Sequence, residues 1–171
     1  WERHLKRSYW PEIERRELVD ESAKQLTDHI VERNFYNRSP SIAPQGDRIA
    51  FLSDRSEYAS IYIMSAIDGS IIERVLTGEQ TGHFEEMHWL RGTIDWSPDG
   101  RLLTFAAKHR SLDAIYIVDA DDGDVREQFV WPEFNSVYSP DWSPDSVHIT
   151  FVGVREGHTD LYILDTETGE Y

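Results

Sequence analysis

Short runs of alternating apolar and polar residues, each bounded by turn residues, fill most of the chain after its first 40 residues. They predict three successive sets of strands, at residues 48–53, 102–107 and 148–153, then around Tyr62, Tyr116 and Tyr162, then at residues 71–76 and 125–130. Asp-Gly or Thr-Gly pairs separate the second set from the third and favour tight hairpins. The pattern therefore predicts an all-β fold built from short antiparallel strands.

These strands belong to a unit that recurs three times without an internal gap. Each unit has a turn around a proline, a phenylalanine seven residues later, a tyrosine eleven residues after that and a glycine a further seven residues on. The signature residues are Ile42, Pro44, Phe51, Tyr62 and Gly69, then Trp96, Pro98, Phe105, Tyr116 and Gly123, then Trp142, Pro144, Phe151, Tyr162 and Gly169. Consecutive prolines lie 54 and 46 residues apart, which places eight extra residues in the connection around residues 77–91. Constant spacing within a unit and four short strands per unit are typical of a propeller blade.

We therefore expect a partial β-propeller of about three four-stranded blades, the last one truncated, preceded by a short helical N-terminal segment at residues 1–36. The blades are expected at about residues 37–77, 92–131 and 136–171, with the signature tryptophans buried between blades. The charge distribution changes at the same boundary. Residues 1–38 contain eight basic and eight acidic side chains, so the remainder carries the whole net charge of −15.

Two structures remain open for the N-terminal segment. The first ten residues predict a helix that ends at Pro11, and Asp20 is placed to cap a second helix over residues 23–30. Alternatively, Lys24-Gln-Leu-Thr27 resembles Arg74-Val-Leu-Thr77, the outer strand of the first unit. That similarity favours a strand near residues 24–27 that closes the ring.

The composition excludes several classes of function. With 32 acidic against 17 basic side chains, the chain repels phosphate backbones and anionic lipids, so we expect no nucleic-acid partner. No apolar run approaches the roughly 20 residues of a membrane-spanning helix, so membrane insertion is not expected either. Without cysteine the chain has neither a disulfide nor a thiolate ligand.

Two acidic or histidine-rich clusters resemble metal sites without matching one. Residues 119–124 resemble a calcium loop, but glycine stands at the fifth place rather than the sixth, and Val130 occupies the twelfth, where a bidentate Glu is required. His83 and His88 flank two glutamates at a spacing that differs from the helical zinc motifs. The Gly-x-Ser-x-Gly turn of a serine hydrolase is also missing. We expect no metal, no cofactor and no catalytic residue.

A known family has a repeat of this kind. The blade repeat of TolB-like β-propellers resembles the second unit, with Trp96-Ser-Pro-Asp-Gly100, Phe105, residues 115–119 and Asp122-Gly123, and the resemblance extends over residues 37–171. The first unit departs from it in having Ile42-Ala43 for Trp-Ser and Gln45 for Asp. The third has Ser146 in place of Gly.

The resemblance implies a non-catalytic scaffold for protein-protein contacts, periplasmic or secreted, in the bacterial cell envelope. The alternative is an accessory, substrate-gating propeller of a larger secreted peptidase whose catalytic domain is not in this chain. Residues 1–11 are similar to the tail of a zinc-peptidase-like domain that precedes such propellers in some bacterial proteins. None of that domain's catalytic residues is present.

The number of repeat units leads to a further expectation. Propellers typically have four to eight blades, because only closure removes exposed sheet edges. The third unit reaches Tyr171, which aligns with Ile71 and Val125, where the fourth strand of the other units begins. We expect a longer protein whose remaining blades follow Tyr171, and self-association of the isolated chain through open blade edges. Two copies joined as three plus three blades are one closed form.

Overall fold

The computed structural model describes residues 1–13, 23–56, 58–78, 86–87 and 92–171. The described residues form two helices, α1 (Glu2–Ile13) and α2 (His29–Glu32), and twelve strands. The strands are β1 (Asn37–Ile42), β2 (Arg48–Ser53), β3 (Ser60–Ser65), β4 (Ile71–Leu76), β5 (Glu86–Met87), β6 (Ile94–Trp96), β7 (Leu102–His109), β8 (Leu112–Asp119), β9 (Val125–Val130), β10 (Ser136–Trp142), β11 (His148–Arg155) and β12 (His158–Asp165).

The strands form three antiparallel sheets, which are the blades. Blade 1 has the order β1-β2-β3-β4, and blade 3 has the order β10-β11-β12. Blade 2 contains β7, β8 and β9 side by side, with β5 and β6 both paired to the inner side of β7. The predicted all-β, partial-propeller fold with a short N-terminal helix is confirmed.

The blades pack face against face, and each contact has its own apolar core. Strand residues alternate between the two faces of a sheet, so each blade presents one set of side chains to the blade before it and another to the blade after it. We call these the preceding face and the following face. Ile61 and Ile63 on the following face of blade 1 share a cluster with Trp96 and Phe105 of blade 2. Ile115 and Ile117 on the following face of blade 2 share the next cluster with Trp142 and Phe151 of blade 3, among others.

The hairpin glycines allow one blade to approach the next closely. Gly123 follows β8 with φ of +73°, a conformation that residues with a Cβ rarely adopt. A Cβ at this position would also collide with the carbonyl oxygen of Val75 in the outer strand of blade 1. A Cβ at Gly69 would likewise collide with the carbonyl oxygen of Leu26.

Helix α1 differs from its predicted extent. It continues through Pro11 to Ile13 rather than ending at Pro11. Proline removes the hydrogen bond that its own N–H would donate and crowds the carbonyl of the preceding turn, and in an exposed helix water can satisfy that carbonyl. The described side chains of this helix are exposed, as is Trp1 directly before it, at 98%.

Residues 23–28 have neither helical nor strand structure. Leu26 nevertheless packs against Phe51, Tyr62 and Met64 on the preceding face of blade 1. Helix α2 follows directly, capped by the Asp28 carboxylate, which accepts the backbone N–H groups of the first turn. The predicted cap at Asp20 lies outside the described residues, and the ring-closing strand stays a prediction.

The inner strand of blade 2 is divided, and the sequence did not indicate this. In blade 2, Met87 pairs with Ala107. At the equivalent position of blade 3, Val137 pairs with Gly153. Eight positions separate Met87 from Asp95, whereas four separate Val137 from the equivalent Asp141. Four of the eight extra positions therefore fall between the two paired segments, β5 and β6.

Candidate axial site

The inner strands of the three blades converge on one cavity. Its volume is about 320 Å³. Equivalent residues of β1, β10 and the segment leading into β6 line it: Ser39, Pro40 and Ser41, then Thr93, Ile94 and Asp95, then Ser139, Pro140 and Asp141. Six of its nine lining residues carry a hydroxyl or a carboxylate.

Bulges in β1 and β10 turn this lining toward the cavity. The pairing register shifts between Arg38 and Ser41 and, in the same way, between Tyr138 and Asp141. Proline cannot donate to a strand ladder, so a Ser-Pro pair in a paired strand requires an irregularity of this kind. Ser39 and Ser139 take up left-handed backbone, with φ of 52° and 54°.

Side-chain hydroxyls connect consecutive blades around the cavity. Ser39 donates to the carbonyl of Gly92, and the equivalent Thr93 donates to the carbonyl of Pro140 at 3.5 Å. Ser139 is the third member of this series. The Ser39 and Thr93 hydroxyls thus reach the backbone of the next blade and connect neighbouring blades.

Asp95 lies at the junction of all three blades. One carboxylate oxygen accepts the Ser41 hydroxyl at 3.3 Å, and the other accepts the backbone N–H of Trp142 at 2.8 Å. The indole N–H of Trp96 donates to the Ser41 carbonyl at 3.0 Å. Burial raises the pKa of Asp95, the Trp142 N–H opposes that rise, and the neighbouring Asp141 carboxylate adds to it.

The site can therefore accept hydrogen bonds and positive charge. Two carboxylate and four hydroxyl residues line a cavity in a protein of net charge −15. An ammonium or guanidinium group would find charged acceptors there, whereas an anion would be repelled.

Residues 119–124, the candidate calcium loop, form a hairpin turn bound to a cation of the chain itself. The Arg126 guanidinium binds Asp119 at 2.8 Å and Asp122 at 3.4 Å. The backbone N–H of Asp121 donates to Asp119, and that of Asp124 donates to Asp122. Within the described parts of the chain, no three metal-binding side chains of the His, Cys, Asp or Glu type come together. Residues 83–88 fall outside them, apart from the backbone in β5.

A serine, an aspartate and a histidine do meet in blade 3, in the turn before β11. His148 Nδ1 lies 2.7 Å from Asp145, whose carboxylate also bonds the Ser143 side chain. The Asp145 carboxylate raises the pKa of His148. Blade 2 has the same serine–aspartate bond, Ser97 to Asp99 at 2.6 Å, with leucine in place of the histidine. The serine hydroxyl therefore stabilises a repeated turn, and it bonds the aspartate rather than the histidine that a catalytic serine requires.

The signature residues of the repeat lie away from the cavity. Phe51, Phe105 and Phe151 are at most 3% exposed and each pairs with the tyrosine of its own unit. Sequence reasoning missed Asp95 and Asp141, which directly precede the two signature tryptophans. The signal was present, because both stand three residues before the turn proline and Ser41 holds that place in the first unit.

Comparison with known proteins identifies the architecture. No family model and no curated protein matches the sequence. Among solved structures, TolB from Acinetobacter baumannii is similar over 79% of this chain, with a TM-score of 0.64 and 22% identity. A protein assigned as TolB from Agrobacterium tumefaciens is similar over 81%, with a TM-score of 0.61 and 19% identity.

The chain has the fold of a TolB-like β-propeller. The same fold relates it to an acylaminoacyl peptidase, at a TM-score of 0.54 and 19% identity over 75% of this chain. The TolB-like blades here span 31%, 48% and 24% of the three proteins, respectively. Neither helix within the described residues is long and apolar enough to cross a bilayer.

Proposed function

We propose that this chain is a non-catalytic scaffold of the bacterial cell envelope, and that it binds a protein partner at the axial site. The proposal rests on the axial cavity. Hydrogen bonds between three blades hold the Asp95 carboxylate and three of the lining hydroxyls in place, and the described residues around the cavity include no histidine. Such a site is suited to recognition rather than to group transfer.

The chemistry of the cavity defines the partner's contribution. A lysine or arginine side chain from an exposed loop or chain end would reach Asp95 and Asp141. Trp96 and Trp142 lie next to these aspartates in sequence, so occupancy of the cavity is expected to change tryptophan fluorescence. Periplasmic or secreted location follows from the TolB-like resemblance and forms part of the proposal.

Titration with short lysine peptides tests the proposed site. We expect saturable fluorescence changes with a lysine peptide and none with its acetylated form, because acetylation removes the positive charge. Asp95→Asn combined with Asp141→Asn should weaken binding at least about tenfold, the loss of about 1.4 kcal/mol. Asp124→Asn combined with Glu127→Gln, both exposed at the β8–β9 hairpin and in β9, is the matched control, since it removes the same two charges away from the cavity. Equal binding by all variants, or by the acetylated peptide, contradicts the proposal.

A second function has one observation in its favour. The similarity to an acylaminoacyl peptidase favours an accessory propeller that gates substrate for a catalytic domain. Reading the open reading frame upstream of Trp1 separates the two functions. A hydrolase domain in the same frame supports the accessory role, and a signal peptide alone supports the scaffold.

A further inference from the structure

The following face of blade 3 is apolar and exposed. Leu161 is 82% exposed and Ile163 is 59% exposed. Their equivalents on the other following faces are Ile61 and Ile63 in blade 1 and Ile115 and Ile117 in blade 2, all at most 2% exposed. The repeat has therefore placed blade-contact residues on a face that no described residue covers.

The outer edge of the same blade is also unpaired within the described residues. Strand β3 pairs with β4, and β8 pairs with β9, whereas β12 has β11 as its neighbour on one side only. An edge of this kind presents a row of unpaired backbone groups that another strand can extend.

Blade 1 presents the complementary surface. Its preceding face carries Ile49, Phe51, Tyr62 and Met64. Phe51 is equivalent to Phe105 and Phe151, each of which contacts the blade before its own. Leu26 already lies on this face. Its carbonyl lies against Gly69 in the same way that the Val75 carbonyl lies against Gly123. Residues 24–27 thus occupy the position of the outer strand of a blade that would precede blade 1.

We propose that two copies of this chain join as a closed ring of six blades, with blade 3 of each copy packed on blade 1 of the other. Both halves of the contact are in this one chain, and each blade contact already described repeats the same geometry. A ring of six blades lies within the four to eight of closed propellers. Two identical contacts close the ring and leave no face for a third copy.

The proposed contact has a defined register. In blade 1, Ile61 of β3 pairs with Leu76 of β4. Leu161 is equivalent to Ile61. The similarity of residues 24–27 to residues 74–77 aligns Leu26 with Leu76, and the Leu26 carbonyl takes the place of that of Val75, the bulge residue beside Leu76. Residues 24–27 of one copy would therefore become the fourth strand of blade 3 in the other copy, with Leu161 opposite Leu26. Both side chains then lie on the preceding face of the same blade 1.

The ring would also complete the axial site. Asp95 accepts the backbone N–H of Trp142 in the next blade. The equivalent aspartate of blade 3 is Asp141, and the residue equivalent to Trp142 in blade 1 is Ile42, which is 63% exposed. Closure places Asp141 against Ile42 of the other copy, so that six inner strands rather than three surround the axis.

Sedimentation of the purified chain over a range of concentrations tests the proposal. We expect a discrete two-copy species that strengthens with added salt, because each copy carries −15 and salt screens the repulsion. Leu161→Glu should raise the dissociation constant at least about 100-fold, since it buries an unpaired carboxylate in each contact. Ile72→Glu is the matched control, because Ile72 is a 53% exposed isoleucine on β4, outside both contact faces.

Cysteine cross-linking tests the register independently, because the chain has no cysteine of its own. Leu26→Cys combined with Leu161→Cys should oxidise to a disulfide-linked pair of chains. Leu26→Cys combined with Asp160→Cys should not, because neighbouring strand residues project to opposite faces. Circular dichroism and cooperative unfolding check that each variant is folded.

Each outcome decides the matter. A two-copy species that Leu161→Glu abolishes, together with selective cross-linking at positions 26 and 161, supports the ring. A monomer at all concentrations, an assembly that grows without limit, or a dimer insensitive to Leu161→Glu overturns it. A monomer would leave further blades of a longer polypeptide, or a different protein, as the occupant of the exposed face.

Discussion

Blades 2 and 3 are built from the same repeat, yet the described residues cover both faces of blade 2 and only one face of blade 3. Ile117 is 2% exposed, while the equivalent Ile163 is 59% exposed. Both are isoleucines at the same place in the same kind of strand. The comparison shows that the repeat specifies a sheet with two apolar faces, and that burial of the second face depends on what packs against it. The following predictions test this difference, from the largest expected effect to the smallest.

Truncating the two equivalent isoleucines should have very unequal effects. Ile117→Ala leaves a cavity in the core between blades 2 and 3, so it should lower the free energy of unfolding by about 2–5 kcal/mol. Ile163→Ala removes a side chain that is already in water, so it should cost less than about 1 kcal/mol in dilute protein. Urea denaturation of both variants measures the difference.

Protein concentration sharpens this test. If the following face of blade 3 is covered by a second copy, the cost of Ile163→Ala should rise at higher protein concentration, while that of Ile117→Ala should not. Equal costs for the two truncations in dilute protein would mean that Ile163 is already covered, and would contradict the comparison.

The hairpin glycines at the two blade contacts offer a second matched pair. Gly123 and Gly169 both have φ of +73°, so alanine at either should cost about 1–2 kcal/mol in backbone strain. At Gly123 the added Cβ also collides with the backbone of blade 1, whereas at Gly169 it meets the Phe129 ring at an ordinary 3.7 Å. Gly123→Ala should therefore be more destabilising than Gly169→Ala by at least about 1 kcal/mol, as judged from overpacking elsewhere.

Thermal unfolding of the two alanine variants compares these costs. A rigid backbone neighbour at Gly123 cannot move aside as a flexible side chain can. If both substitutions lower the melting temperature equally, the strain at φ accounts for the whole effect and the close approach of blades 1 and 2 contributes nothing.

How much of this fold could be predicted depends on the range of the interactions involved. Turn chemistry and alternation are local, so the strands around Phe105 and Tyr116 were predictable from their own neighbours. The divided inner strand of blade 2 was not, because Met87 pairs with Ala107 twenty residues away and only the pairing register reveals it.

The axial site was harder to predict than the fold for a related reason. Asp95 acquires its role from Ser41 of one blade and Trp142 of another, each about fifty residues distant in the chain. Repeated aromatic residues are conspicuous in the sequence, but they form the core. The repeated polar position beside them forms the site, and only the arrangement of blades brings its three members together.

Two aspartates of blade 2 should show opposite pH effects, which would sharpen the electrostatic side of the comparison. Burial raises the pKa of Asp95, whereas the Ser97 hydroxyl bound to Asp99 holds its pKa below the ordinary range. A raised folded pKa means that stability is greatest at low pH and is lost as pH rises through that pKa. A lowered one means that stability is present above the unfolded pKa and is lost as pH falls.

Melting temperatures between about pH 3 and pH 7 test these signs against the ordinary aspartate pKa of about 3.9. Relative to the unchanged protein, Asp95→Asn should gain stability as pH rises, because asparagine still accepts the Trp142 N–H and carries no buried charge. Asp99→Asn should lose stability as pH rises. The same slope for both variants would show that the contact around Asp95 is open to solvent.

The smallest expected effect concerns the turn that opens the third repeat. Ser146 has φ of 63°, in the left-handed region, where Gly46 and Gly100 stand in the other two units. Ser146→Gly should therefore raise the free energy of unfolding by about 0.5–1 kcal/mol, because glycine adopts this conformation without a steric penalty for Cβ. Glu156→Gly is a useful companion, since Glu156 has φ of 51° in the exposed β11–β12 turn of the same blade. Gains in the free energy of unfolding at both positions would show that relief of backbone strain causes the stabilisation. A gain at neither would mean that the greater freedom of glycine in the unfolded chain offsets the strain that is relieved, and that blade 3 is no less stable locally than its fully covered neighbour.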